Sequence, residues 1–190
     1  MKTRDIDIRN RLHYSLNEEF LSDSSTLIID ELGLCQGNAR VDIAVVNGLI
    51  HGYEIKSESD TLERLPGQIS VYNKVLDEIT IVTSNKHIES VKKLVPEWWG
   101  IEVAIALDNE IELSTLRKAY KNPDIEAYFV VQLLWREEAL DILRQFELDR
   151  GYVSKSRKKI WEKLVDSFSL SDLQYYVREK LKSRKDWRFG

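Results

Sequence analysis

Cysteine is almost missing from this chain: Cys35 stands alone among 190 residues. That excludes an internal disulfide framework and any cysteine-rich zinc site, and it suits a reducing compartment. Histidine is scarce as well. His13, His51 and His87 share no ligand spacing, so each reads as structural or exposed. No glycine-rich loop precedes a helix, which excludes a nucleotide-hydrolysing motor. No apolar run approaches the length of a membrane span, and the start, Met1 to Ile8, is charged without an apolar segment behind it. The expectation is a cytoplasmic protein with no membrane partner.

What is present supports an ordinary core, since 43% of the residues are hydrophobic. The net charge of −4 conceals an asymmetry. Residues 150 to 190 hold 12 Lys and Arg against 5 Asp and Glu, so they carry +7 and the first 149 residues carry −11. A basic C-terminal third attracts phosphate backbones or merely forms a solvated helix face, two readings of similar weight.

The organising stretch runs from Arg40 to Lys56, two β-rich runs meeting at Asn47-Gly48, a strong hairpin signal. Asp42, Glu54 and Lys56 are residue types that buried strands avoid, and a carboxylate beside an apolar core needs a cation or donors. Strand alternation puts Glu54 and Lys56 on one face. A two-residue loop sends Asp42 to the other face; a three-residue connection or one bulge brings it across from Glu54. That odd register is the expected one. It gathers Val41, Ile43, Val45, Tyr53 and Ile55 on the apolar face and Asp42, Glu54 and Lys56 on the other. Two facing carboxylates repel unless a hard divalent cation lies between them, for which Mg²⁺ is the usual choice.

An Asp followed a dozen residues later by Glu-x-Lys on a hairpin resembles the PD-(D/E)XK nuclease superfamily. Gln68-Ile-Ser-Val-Tyr72 is similar to the Gln-x-x-x-Tyr motif of its RecB-like branch, and the run from Glu31 to Tyr72 is similar to a group of small bacterial proteins placed there. The resemblance implies a restriction-endonuclease-like mixed sheet flanked by helices and a metal-dependent phosphodiester hydrolase acting on nucleic acid, DNA ahead of RNA. It implies that Asp42, Glu54 and Glu31 hold Mg²⁺ or Mn²⁺ with the Ile55 carbonyl as a further ligand. Lys56 then positions or deprotonates the attacking water, and Gln68 and Tyr72 orient Lys56 or the substrate. The additional acid is Glu31 by preference, or Glu18 or Glu19 on the first helix; Glu31 otherwise pairs with Arg40 or Lys56. Two rival readings stand beside this one. The first is a nuclease-like module that binds nucleic acid without cutting, and the second is a structural or partner-docking protein in which Asp42, Glu54 and Lys56 form an internal salt-bridge cluster.

Along the chain, Ile8, Leu12, Leu16 and Phe20 predict a helix over Asp5 to Leu21. Thr26 to Leu34 reads as a strand with Leu27, Ile29 and Glu31 on one face. Asp60 and Glu63 fit a capping box, and Pro66 suits the first turn of a helix from Leu65. Arg64 contacts phosphate or is a solvated arginine. Glu78 to Thr83 is expected parallel to the strand ending at Lys56. Asn85 is read as the cap of the next helix, with Ile88, Val91, Leu94 and Val95 toward the sheet, and Ile101 to Leu107 as another strand. Trp98 and Trp99 read as packing ahead of base stacking. Residues 1–122 are thus an expected α/β domain and 123–190 a basic helical extension. The extension comprises Ile125 to Phe146, a turn at Gly151, Ser156 to Phe168, and Ser171 to Ser183 capped by Ser171. Trp135, Trp161 and Trp187 are read as core residues, and the last two helices as packing ahead of a helix-turn-helix.

Overall fold

A computed structural model describes residues 4–107 and 110–184. Six strands form one sheet in chain order: β1 (Leu27–Leu34), β2 (Ala39–Val46), β3 (Ile50–Lys56), β4 (Glu78–Ser84), β5 (Gly100–Leu107) and β6 (Glu110–Arg117). The β1–β2, β2–β3 and β5–β6 pairs are antiparallel, while β3–β4 and β4–β5 are parallel. The sheet is therefore mixed, as expected. Parallel neighbours need a crossover, and α2 (Leu65–Tyr72) and α3 (Ile88–Leu94) lie in those two connections.

Two apolar cores cover the two faces of the sheet. On one side α1 (Asp5–Glu19) lays Ile8, Leu12 and Leu16 against Ile43, Val45, Tyr53, Ile55 and Val82, with Phe20 beside them. The fourfold stripe read from the sequence is this contact. The other face holds the larger core. There α2 and α3 are joined by α4 (Ala127–Val130), α5 (Arg136–Gln145), α6 (Arg157–Ser167) and α7 (Leu170–Ser183). Val130, Leu140, Trp161, Leu164, Val177 and Leu181 share this core with the sheet residues Val46, Ile79 and Ile81.

Several local expectations change. Val41 packs in the larger core, away from Ile43 and Val45. The reason lies on the neighbouring strand. Glu31 adopts φ 55°, a left-handed conformation rare for a side chain of its size, so Ile29 and Leu32 both face the larger core and alternation slips by one. Asn85 does not cap α3: a short 3₁₀ turn, Asn85–His87, intervenes. Leu94 is exposed, while Val91 and Val95 are buried. Asp60 and Glu63 form no capping box, because Asp60 instead accepts from the Ser57 amide and hydroxyl and closes the loop after β3. Ser169, two residues before the expected cap, accepts from the Asp172 amide at the start of α7. β6 lies where the residue pattern predicts no element; its outward residues are mostly polar, with Leu116 exposed among them.

Trp99 is fully buried, donates to Asn73 Oδ1 at 2.9 Å and stacks near Tyr72, so its role is packing. Trp161 is buried too, but Trp135 is 40% exposed, which corrects its placement in the core. Trp187 lies outside the described residues. No described helix is long and apolar enough to cross a membrane.

His51 is structural. It stacks on Tyr53 with ring centroids 4.3 Å apart, and its Nε2 lies 2.8 Å from Thr80 Oγ1. Burial pushes its pKa down to about 4. The unfolded chain binds this proton near the ordinary value of 6.5 and the folded chain does not, so the contribution is complete above that value and is lost as pH falls from it toward 4. Burial raises the nearby Glu78 and Glu102, which has the opposite sign, so the comparison is with a variant. Between pH 6.5 and 4, urea unfolding of the wild type should lose about 3 kcal/mol more than that of His51→Gln; parallel pH profiles would refute the assignment.

Candidate functional site

The candidate site is built on the hairpin. Val46 pairs with Ile50 and Ile43 with Tyr53, so Asn47, Gly48 and Leu49 form the three-residue connection that the odd register requires. Asn47 closes it, since its amide donates to the Leu49 carbonyl at 3.0 Å and its Oδ1 accepts from the Leu49 amide at 3.2 Å. Continued past Ile43 and Tyr53, this register sets Asp42 level with Glu54. The backbone ladder stops there. Asp42 Oδ2 accepts instead from the Ile55 amide at 2.7 Å, and a side chain thus takes over the strand pairing.

Glu54 and Lys56 share a face, and both are buried, 2% and 5% exposed. The Lys56 ammonium donates to Glu54 Oε1. The same oxygen accepts from Gln68 Nε2 at 2.7 Å, and Gln68 also reaches the Tyr72 hydroxyl at 3.2 Å. That hydroxyl lies 2.6 Å from both Glu54 Oε2 and the Arg40 carbonyl, and its single proton serves one acceptor at a time. Pro66 in the first turn of α2 fixes where the helix starts, and i, i+4 spacing then puts Gln68 and Tyr72 on the side facing β3. Burial, then the Asp42 carboxylate, pushes the Glu54 pKa up against the pull of Lys56 and Tyr72. Burial, followed by the Glu54 charge, raises Tyr72 well beyond the ordinary phenol range.

A cleft of about 710 Å³ opens over this network, with Asp42, Glu54, Ile55, Lys56 and Gln68 in its lining and Arg40, Arg64 and Glu31 at its walls. Tyr72 is fully buried beneath it. Glu18 and Glu19 are not among its lining residues; Glu19 lies near Tyr53 and Glu102 at the far end of α1. Glu31 turns toward Arg9, at 3.1 Å, and Arg40, at 3.6 Å.

Arg9 is the residue that the sequence reading did not single out. Its guanidinium donates to Asp42 Oδ1 at 2.7 Å and to the Asp42 carbonyl at 3.0 Å. It lies also within 3.4 Å of Asp5 and 3.7 Å of Asp30. The available signal was the Asp5–Arg9 spacing beside the apolar stripe of α1. With Arg9 in place, both central carboxylates have protein donors, the Tyr72 proton being shared between Glu54 Oε2 and the Arg40 carbonyl. Asp42 is held by Arg9 and the Ile55 amide, and Glu54 by Lys56, Gln68 and Tyr72. A hard divalent cation needs several such oxygens directed at one point. Among the described residues no group of three or more His, Cys, Asp or Glu is placed to hold a metal. The residues as arranged do not fit the cation.

Comparison with known proteins then decides the kinship. The family model described as Bacteriophage P4 protein cII matches residues 2–188. The chain belongs to this family. A curated relative, protein cII of Enterobacteria phage P4, is 26% identical over 164 residues, which are 86% of this chain and 61% of that protein. The chain thus spans about three-fifths of the length of the curated relative it matches. No solved structure matches the chain. Membership in the cII family overturns the resemblance to PD-(D/E)XK nucleases and, with it, the reading of a metal-dependent phosphodiester hydrolase from a bacterial nuclease group. Short motifs of abundant residue types occur without the chemistry they suggest.

Because Arg9 answers several carboxylates while Arg40 has one distant partner and is 54% exposed, the two arginines should differ in weight. Arg9→Met should cost about 2 kcal/mol of unfolding free energy, and Arg40→Met less than about 1 kcal/mol. Chemical denaturation of the two variants decides, and equal losses would contradict the network.

Proposed function

We propose that this cII-family protein binds nucleic acid without cutting it, and that Asp42, Glu54, Lys56, Gln68 and Tyr72 form an internal network that fixes the hairpin against α1 and α2. The observation that carries the binding half is the surface at the start of α6. Lys155, Arg157, Lys158 and Lys159 are all exposed there, and the first turn of α6 has no acidic residue. Cations at a helix N-terminus oppose the helix dipole, so a bound anion relieves an unfavourable arrangement. Local pairing is slight: Lys159 meets Glu162 at 2.6 Å, and Arg157 reaches Gln36 at 3.2 Å.

The cleft itself suits phosphate less well. Asp5, Glu31, Asp60 and Glu63 surround it along with Asp42 and Glu54, against Arg40, Lys56 and Arg64. Nucleic acid is therefore placed on α6 and the adjoining rim, outside the buried network. The apolar faces of α6 and α7 are spent on the core, through Ile160, Trp161 and Leu164 and through Leu173, Val177 and Leu181. The outward side of the α6–α7 pair is accordingly mostly charged, with Tyr175 exposed among the charges.

Gel-shift titrations with single- and double-stranded DNA and RNA in EDTA test this. Retardation should occur without divalent metal and weaken with salt, and Lys155→Glu combined with Lys158→Glu should reduce the salt slope by about 2. No retardation of any of the four at low salt would overturn the proposal.

A further inference from the structure

Beside the cleft, and sharing Arg40 and Glu31 with it, lies a separate cavity of about 320 Å³ between β1 and the C-terminal helices. Its volume is at the lower end of small-ligand sites. Leu32, Leu133 and Leu134 form an apolar floor, and Trp135 stands at its edge. Arg40 comes from β2 and Arg157 from α6.

The wall is held rigidly. The Arg184 guanidinium lies 4.3 Å from the centroid of the Trp135 ring. It donates to both Glu138 carboxylate oxygens and to the Leu133 carbonyl, each at 2.6 Å. Arg184 is therefore engaged in fixing the tryptophan and is not the ligand's contact. Arg40 and Arg157 are different. The first is 3.6 Å from Glu31, and the second has its hydrogen bond to Gln36 and a ring contact to Trp161. Two residues of the lining, Glu31 and Gln36, are held at positive φ, 55° and 59°. Non-glycine residues in that region cluster at ligand sites. The lining also holds Asp30 and Glu31, which Arg9, His13 and Arg40 meet; the leucines, Trp135 and the two arginines together fit a planar ring joined to an anion.

We propose that this cavity takes one nucleotide, its base against Trp135 and the leucine floor and its phosphate between Arg40 and Arg157. Resting on the nucleic-acid reading above, this names the feature recognised: an unstacked base, which a single strand offers and an intact duplex does not. A free nucleoside monophosphate has the same chemistry, and the test separates the two sources.

Tryptophan fluorescence and competition binding in EDTA are to be measured with adenosine monophosphate, a ten-nucleotide single strand and a blunt duplex, for the wild type, Trp135→Ala, Trp135→Phe and Arg157→Gln. The expected result is preference for the single strand over the duplex, a loss of about tenfold in Trp135→Ala, substantial recovery in Trp135→Phe, and weakened binding in Arg157→Gln. Arg157 belongs also to the α6 surface and lies over the Trp161 ring, so the Trp135 pair is what distinguishes the cavity from that surface. If the monophosphate saturates the same tryptophan signal and the longer strand binds no tighter, the cavity is confirmed as a nucleotide site with free nucleotide as its source. Equal binding of duplex and single strand, unchanged by Trp135→Ala and Arg157→Gln, overturns the cavity while leaving the nucleic-acid reading intact. Absence of binding by every probe overturns both.

Discussion

The structure depends on the burial of Glu54. A carboxylate removed from water at the centre of a sheet costs several kcal/mol unless donors surround it, and two elements of the chain, β3 and α2, supply them. β3 provides Lys56 two residues on, and α2 provides Gln68 and Tyr72, whose hydroxyl proton the Arg40 carbonyl of β2 also accepts in competition with Glu54. Asp42, whose charge helps to raise Glu54, is drawn off by Arg9 of α1. The hairpin register, the start of α2 and the docking of α1 are thus solutions to one electrostatic problem.

Much of this was legible from residue types and spacing. A three-residue connection at Asn47-Gly48-Leu49 follows from asking how Asp42 and Glu54 can share a face, and the i, i+4 contact of Gln68 with Tyr72 follows from Pro66 at a helix start. The parallel β3–β4 pair follows from the helix between the strands. What was hidden has local causes. The positive φ of Glu31 reverses the alternation of β1 and carries Val41 to the opposite core, and nothing in Glu31 announces it. β6 escaped notice because an edge strand bearing Glu110, Glu112, Ser114 and Thr115 outward has a weak apolar period; such polar edges are how sheets avoid pairing with strangers. Leu94 and Trp135 were misplaced because periodicity reports a face, not what covers it.

The nuclease resemblance failed for an instructive reason. Asp, Glu-x-Lys and Gln-x-x-x-Tyr supply acids, an ammonium, an amide and a phenol, which suffice to hold a cation when the acids lack other donors. The same groups satisfy one another when a further cation, here Arg9, arrives from a distant helix. Spacing along the hairpin is identical in both cases. Kinship to phage P4 protein cII is the finding that overturns the resemblance, and the contact between α1 and β2 is one that no local pattern encodes.

The most direct test of a self-satisfied buried network is a double-mutant cycle on stability, using Glu54→Gln, Lys56→Met and the pair together, followed by urea denaturation in EDTA. The account predicts that each single change costs about 3–5 kcal/mol by stranding a buried partner, and that the double variant recovers a substantial part of the summed loss. Single changes that are nearly neutral, or losses that simply add, would contradict it.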